Sequence, residues 1–327
     1  MFFYLLGLSL SVLTGCNERQ QHHIQFYHWK TNVSIGEVEQ TYFNQLNCTK
    51  LYIRFFDIDK KNGQTGPVAK LRPFDPVVLN ATYIPVIFIT NRTFSGITEE
   101  QLTKLVDNIL ALTTEISAAN HLPDALEIQI DCDWTESTKQ AYFYFLERLK
   151  QASDKRISCT LRLHQIKFRE KTGIPPVDKG YLMCYATSEP TGDSDQNSIL
   201  DMKLLKDYTS SIPTYPLDFD IALPIYSWAI VKNHLGKIKL INDVSVTDLD
   251  TAVFRYIDNG LYELQRDYFF RSIYLSKGFT LKVETISPAL LEEVKLYLEQ
   301  KIRRPYDIVY YHLDESFLKQ FTIQNLQ

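Results

Sequence analysis

The sequence predicts a single α/β domain folded as a (β/α)8 TIM-barrel-like structure, with a long excursion before the last strand. From Ile24 onward, strand-like runs alternate with helical patterns, which implies a mainly parallel sheet with crossover helices. Eight such units fit in residues 24–327, an ordinary length for that barrel. The competing fold, a doubly wound open sheet, places a glycine-rich phosphate loop after its first strand. His28-Trp29-Lys30-Thr31 is nothing like one.

Candidate strands run over 24–29, 50–57, 83–90, 126–133, 157–164, 180–185, 219–228 and 307–313. Helices fall between several of them. Thr98 and Gln101 form a capping-box pattern ahead of Leu102, Leu105, Val106, Ile109 and Leu110 at helical spacing. Ala141, Tyr142, Phe145, Leu146 and Leu149 mark another helix. Ser287-Pro288 opens a third, as an N-cap followed by proline at the first helical position. A ninth strand candidate, 280–286, and a hairpin over 229–241 turning at 233–236 are assigned to the excursion between strands seven and eight. Residues 187–195 are the most loop-like stretch.

Hydrophobic residues make up 45% of the chain, ample for a large core, and the net charge of −4 offers no electrostatic footprint for nucleic acid. Cys48, Cys132, Cys159 and Cys184 lack metal-ligand spacing and are expected as buried free thiols, with a disulfide in an oxidising envelope as the alternative. His22-His23 is not the His-x-His of metal-dependent barrels, and no Gly-x-Ser-x-Gly elbow is present. Chemistry without metal or organic cofactor is expected. The 20 tyrosines leave rings to spare for a wet, aromatic binding surface.

An apolar run from Met1 to Val12 ends in Leu13-Thr14-Gly15-Cys16, which resembles the lipobox of bacterial lipoprotein signal peptides. The run is too short to span a bilayer as a stable helix. The resemblance implies that residues 1–15 are a signal peptide removed in the mature protein. It also implies that Cys16 carries the palmitate-type lipid, that 16–23 is a tether and that 24–327 is the barrel. No Lys or Arg precedes the run, a departure from the usual signal. Asn17 after the lipid cysteine, in place of aspartate, goes in that family with the outer membrane of a Gram-negative cell envelope.

The chemistry concentrates on the fourth strand, Leu126-Glu127-Ile128-Gln129-Ile130-Asp131-Cys132-Asp133. Alternation turns Leu126, Ile128, Ile130 and Cys132 towards the helices and Glu127, Gln129, Asp131 and Asp133 into the barrel. Polar groups buried on an inward face are costly unless satisfied or used. Carboxylates two residues apart repel, so at least one is expected to hold its proton more tightly. Asp131 and Asp133 lie at the strand's C-terminal end, where barrel enzymes place their active sites. Asp133 also makes a capping-box pattern with Glu136, which leaves it a purely structural alternative.

Asp131-Cys132-Asp133-Trp134 resembles the strand-four signature Asp-x-Asp-Trp-Glu of family-18 chitinase-like barrels, and Met183-Cys184-Tyr185 is similar to their strand-six Met-x-Tyr-Asp. The match covers about ten residues. Together with the lipobox, it makes the chain similar to bacterial envelope lipoproteins with glycosidase-like barrels. In the family the glutamate protonates the leaving oxygen, while the substrate's acetamido group attacks with help from the aspartate and tyrosine. Here Thr135 stands at the glutamate and Ala186 at the aspartate. Threonine cannot donate that proton, so the resemblance implies the barrel and the sugar site with the chitinase mechanism broken.

Trp29, Trp134 and Trp228 all fall at predicted C-terminal strand ends, as stacking platforms for sugar rings or as plugs of the barrel top. Tyr226 shares a face with Trp228, and Tyr185 belongs to the strand-six motif. Arg162 and His164 share a face of strand five and are expected either to tune Asp131 or to close a structural ion network. Arg54, Asp57, Asp59 and His312 are further rim candidates. Three functions remain open from sequence: a glycosidase acting through Asp131 and Asp133, a lectin-like glycan-binding lipoprotein, and an envelope assembly protein whose excursion docks a partner.

Overall fold

The computed structural model describes residues 22–76, 79–190 and 195–327. Cys16, the signal peptide and nearly all of the tether lie outside the described residues. Eight parallel strands close on themselves: Ile24–His28, Lys50–Lys61, Thr82–Ile89, Glu127–Asp131, Arg156–Arg162, Lys179–Met183, Phe219–Pro224 and Ile308–Tyr311. The first strand closes the barrel by pairing on both sides, Phe26 with Leu51 and with Tyr310. The predicted (β/α)8 fold is the observed one.

Alternation along each strand builds two cores. Outward residues such as Phe26, Leu51, Ile53, Ile87, Ile128, Ile130 and Leu182 pack under the helices. The helix Glu99–Ala119 buries Leu102, Leu105, Val106, Ile109, Leu112 and Ile116 against them. Its predicted box is closed both ways, Gln101 N donating to Thr98 Oγ1 (3.2 Å) and Thr98 N to Gln101 Oε1 (2.9 Å). Ser287 caps the helix Pro288–Lys301 by accepting from Leu290 N (3.1 Å). The four cysteines after Cys16 are buried and free.

The barrel interior is polar and aromatic. Glu127 at its base accepts from Ser158 Oγ (2.6 Å) and from Tyr181 Oη (2.9 Å), whose oxygen also lies 2.7 Å from that of Tyr52. One layer up, Tyr27 Oη donates to Gln129 Oε1 (2.8 Å). The lower half of strand four's polar face is therefore largely consumed by structure, although Gln129 Nε2 is left buried without a partner among the described residues. Leu126 departs from the expected alternation. It precedes the strand, packs under no helix and is 80% exposed.

The excursion between strands seven and eight is a small module with its own sheet. Five antiparallel strands, Trp228–Lys232, Ile238–Asn242, Phe254–Asp258, Leu261–Leu264 and Thr280–Glu284, enclose a core that includes Val231, Phe254, Leu264 and Leu281. The hairpin Tyr268–Phe270 with Ile273–Leu275 adds two more strands. Two sequence expectations shift at the barrel rim. Strand five ends at Arg162, because Gln165 Oε1 accepts from Arg162 N (2.7 Å) and starts the helix Leu163–Lys167, which removes His164 from the strand. Strand seven ends at Pro224, and Trp228 opens the first strand of the excursion.

Candidate functional site

The C-terminal ends of the strands surround a cavity of about 980 Å³. Its walls bring together most of the residues singled out from sequence: Trp29, Asp131, Asp133, Arg162, Tyr185, Tyr226 and Trp228. Arg54 and His312 also line it. Aromatic rings run across it without a break. Trp29 lies 5.7 Å from Tyr311, Tyr311 5.6 Å from Tyr226, and Tyr226 5.4 Å from Trp228. Tyr185 leans on this row, 5.6 Å from Tyr311. Offset and edge-on rings at these spacings hold one another in place and present apolar area with polar tips.

Strands four and five supply the charges. Asp131 is 3% exposed and accepts from Thr160 Oγ1 (2.6 Å). Burial pushes its carboxyl up to about 6, against the pull of the Arg162 guanidinium. Asp133 is held in a two-pronged pair by Arg162, with Nη2 at 3.0 Å from Oδ2. It does not cap the following helix, Lys139–Ala152, whose N-cap is Thr138. Arg54 is paired with Asp57 (Nε to Oδ1 2.7 Å), and its guanidinium carbon lies 5.5 Å from the Trp29 ring centre. Asp59 points elsewhere and binds Arg92 and Thr90. His28 and His312 are buried in the cavity wall, and burial pushes both imidazoles below their ordinary range. Among the described residues, no group of three or more His, Cys, Asp or Glu could hold a metal ion.

Two expected site residues are not in the cavity wall. Trp134 is fully buried on the helix side, stacked 5.1 Å from Tyr142, with Nε1 donating to Thr172 O (2.9 Å). Its number explains this, since Trp134 continues the 128, 130, 132 series that faces the helices. His164 is exposed in the first turn of its helix and does not line the cavity.

The two departures from the family-18 pattern have plain structural consequences. The backbone N–H of Thr135 donates to Thr138 Oγ1 (3.0 Å), and its hydroxyl pairs with that of Ser137 (3.0 Å). Neither Thr135 nor the exposed Glu136 lines the cavity. Ala186 does line it, at a φ of +54°, so a methyl group stands in the left-handed region where the pattern has a carboxylate. The cavity thus keeps the buried carboxyl of Asp131, the Asp133–Arg162 ion pair and an aromatic wall.

Sequence reasoning missed Tyr311, which joins the two halves of the aromatic row. It also missed Asn242 and Asp243, which the excursion contributes to the wall. Tyr310-Tyr311-His312 at the end of strand eight carried the same signal as the chosen tryptophans, an aromatic residue at a strand's C-terminal end.

No family model matches the chain, and no curated protein does. Solved structures do. The spore cortex-lytic enzyme SleL of Bacillus cereus is 16% identical over 94% of this chain and 74% of its own, with a TM-score of 0.59. SleL of Bacillus megaterium is 15% identical over 95% and 73%, with a TM-score of 0.58. The Group IV chitinase of Ostrinia furnacalis, in complex with allosamidin, is 8% identical over 94% and 97%, with a TM-score of 0.51. At such identities the likeness establishes the fold alone, a (β/α)8 barrel.

Proposed function

We propose that this chain binds a glycan in the barrel-mouth cleft and does not cleave it by the route of family-18 chitinase-like enzymes. The observation that carries this reading is the pairing of an intact aromatic wall with Thr135 tied into a turn where the pattern has its acid. Rings along the cleft suit the apolar faces of sugars. Asp131 and the Asp133–Arg162 pair offer acceptors and donors to hydroxyl and acetamido groups. Likeness in fold to SleL and to a chitinase agrees with a glycan as ligand.

Truncating an aromatic anchor in such a cleft costs about 2 kcal/mol, or about 30-fold in affinity. Trp228→Ala and Trp29→Ala are each expected to weaken binding of a chitin-derived oligosaccharide by that order, measured by calorimetric titration. Unchanged affinity in both variants would remove the cleft from the binding site.

One observation favours a second reading, hydrolysis. A carboxyl with its pKa near 6 is partly protonated at neutral pH and suits general acid work. Shortened products that disappear with Asp131→Asn would establish it. We also propose the lipid-anchored envelope location, which rests on the lipobox-like sequence ending at Cys16. Radiolabelled palmitate is expected to enter the wild-type chain in bacterial cells and not the Cys16→Ser variant; equal labelling of both would sink the idea.

A further inference from the structure

The excursion contributes more than a wall. Trp228, its first residue, pairs across the sheet with Glu284, the last residue of the strand Thr280–Glu284. Directly opposed residues share a face of the sheet, so their side chains can meet. They do: Trp228 Nε1 donates to Glu284 Oε2 at 2.9 Å. Glu284 is 3% exposed, yet it sits in a ring of donors. Lys282 Nζ lies 2.8 Å from its Oε1, and Ser198 Oγ donates to its Oε2. Burial alone would raise this carboxyl; the donors outweigh burial and hold it below the usual carboxylate range. The acceptor facing the indole therefore stays charged at neutral pH, and hydrogen bonds to a charged acceptor are about twice as strong as neutral ones.

The end of the same strand reaches back to the barrel. Ser198 belongs to the segment that follows the sixth barrel strand. Its neighbour Asn197 donates through Nδ2 to Thr285 O (2.8 Å), and Lys282 Nζ donates to Gln196 O (2.6 Å). The excursion is thereby stapled to a barrel loop at the point where Trp228 enters the cleft wall. Of the two tryptophans lining the cleft, Trp228 has its ring nitrogen bonded to a buried carboxylate, whereas Trp29 is flanked by Tyr311 and Arg54.

We propose that Glu284 is a positioning residue that locks the Trp228 indole in the orientation the cleft uses to stack a sugar ring. The consequence for ligands rests on the glycan-binding reading above; the lock itself does not. The full chain, labelled with 15N at tryptophan, tests both. Trp228→Phe identifies the indole resonance. In the wild type, solvent exchange of the Trp228 indole proton is expected to be at least tenfold slower than that of a free indole. It should accelerate about tenfold in Glu284→Gln, which keeps the shape but loses the charge. Ser198→Ala removes one donor to the carboxylate without stranding Lys282, and is the second variant should Glu284→Gln fail to fold; an acceleration of about threefold is expected.

Chitin tetraose is the binding probe. Glu284→Gln is expected to weaken it about tenfold in the wild-type background and not at all in a Trp228→Ala background. Equal losses in both backgrounds would show that Glu284 acts through the fold and overturn the proposal, as would an indole exchange rate indifferent to both variants. If the wild type binds no tetraose, chitin is not the glycan of the reading above, and indole exchange alone decides whether the lock exists.

Discussion

Trp134→Ala is expected to destabilise the fold by about 3–5 kcal/mol and to leave glycan affinity of the folded protein unchanged. The ring is fully buried between strand four and its helices, stacked on Tyr142 and edge-on to Phe143. Truncation leaves a large cavity and also orphans the Thr172 carbonyl, which now accepts the indole N–H. The paired measurement is a urea midpoint and a calorimetric titration on the same variant. A stable variant that binds tenfold more weakly would place Trp134 in the ligand site and contradict its position behind the strand. Trp228→Ala should give the opposite pattern, because that ring is only partly buried and lines the cleft.

Asp131→Asn is expected to raise stability at pH 8 by about 2–3 kcal/mol and to leave it unchanged at pH 4. Burial lifts the folded-state pKa of Asp131 from 3.8 to about 6. The native protein therefore holds this proton more tightly than the unfolded chain does. The stability it contributes is complete below pH 4 and is lost as pH rises through 6. The stability lost across that window amounts to about 3 kcal/mol. Asparagine never ionises and keeps an oxygen for Thr160 Oγ1, so the variant escapes the loss. Urea unfolding at both pH values measures the difference. A variant less stable than the wild type at pH 8 would mean that Arg162 stabilises the ionised carboxylate by more than burial penalises it.

The barrel was legible because its signals are local. Alternation on strand four separated Ile128 and Ile130 from Glu127, Gln129 and Asp131, and capping residues at Thr98 and Ser287 marked helix starts where the structure has them. The same alternation, extended one step, assigns Trp134 to the helix side; grouping it with the other strand-end tryptophans overrode that parity. Two hairpins were missed although their turns are written plainly. Asn62-Gly63 joins Lys50–Lys61 to Gln64–Val68, and Asn259-Gly260 joins Phe254–Asp258 to Leu261–Leu264. All four turn residues have positive φ, the backbone that a two-residue hairpin turn demands. What no local pattern could show is the closure of the site across the chain. Tyr311 meets Trp29 and Tyr226, and Glu284 meets Trp228 and Ser198, through contacts set by barrel closure and by the docking of the excursion.

One experiment tests directly whether the cleft binds a glycan and leaves it uncleaved. The full chain is titrated calorimetrically with chitin-derived and other bacterial oligosaccharides, and each mixture is then analysed by chromatography for shortened products. Saturable binding that falls about 30-fold in Trp228→Ala, with every oligosaccharide recovered intact, is the expected result. Shortened products made by the wild type and absent with Asp131→Asn would contradict it and establish a hydrolase acting through strand four.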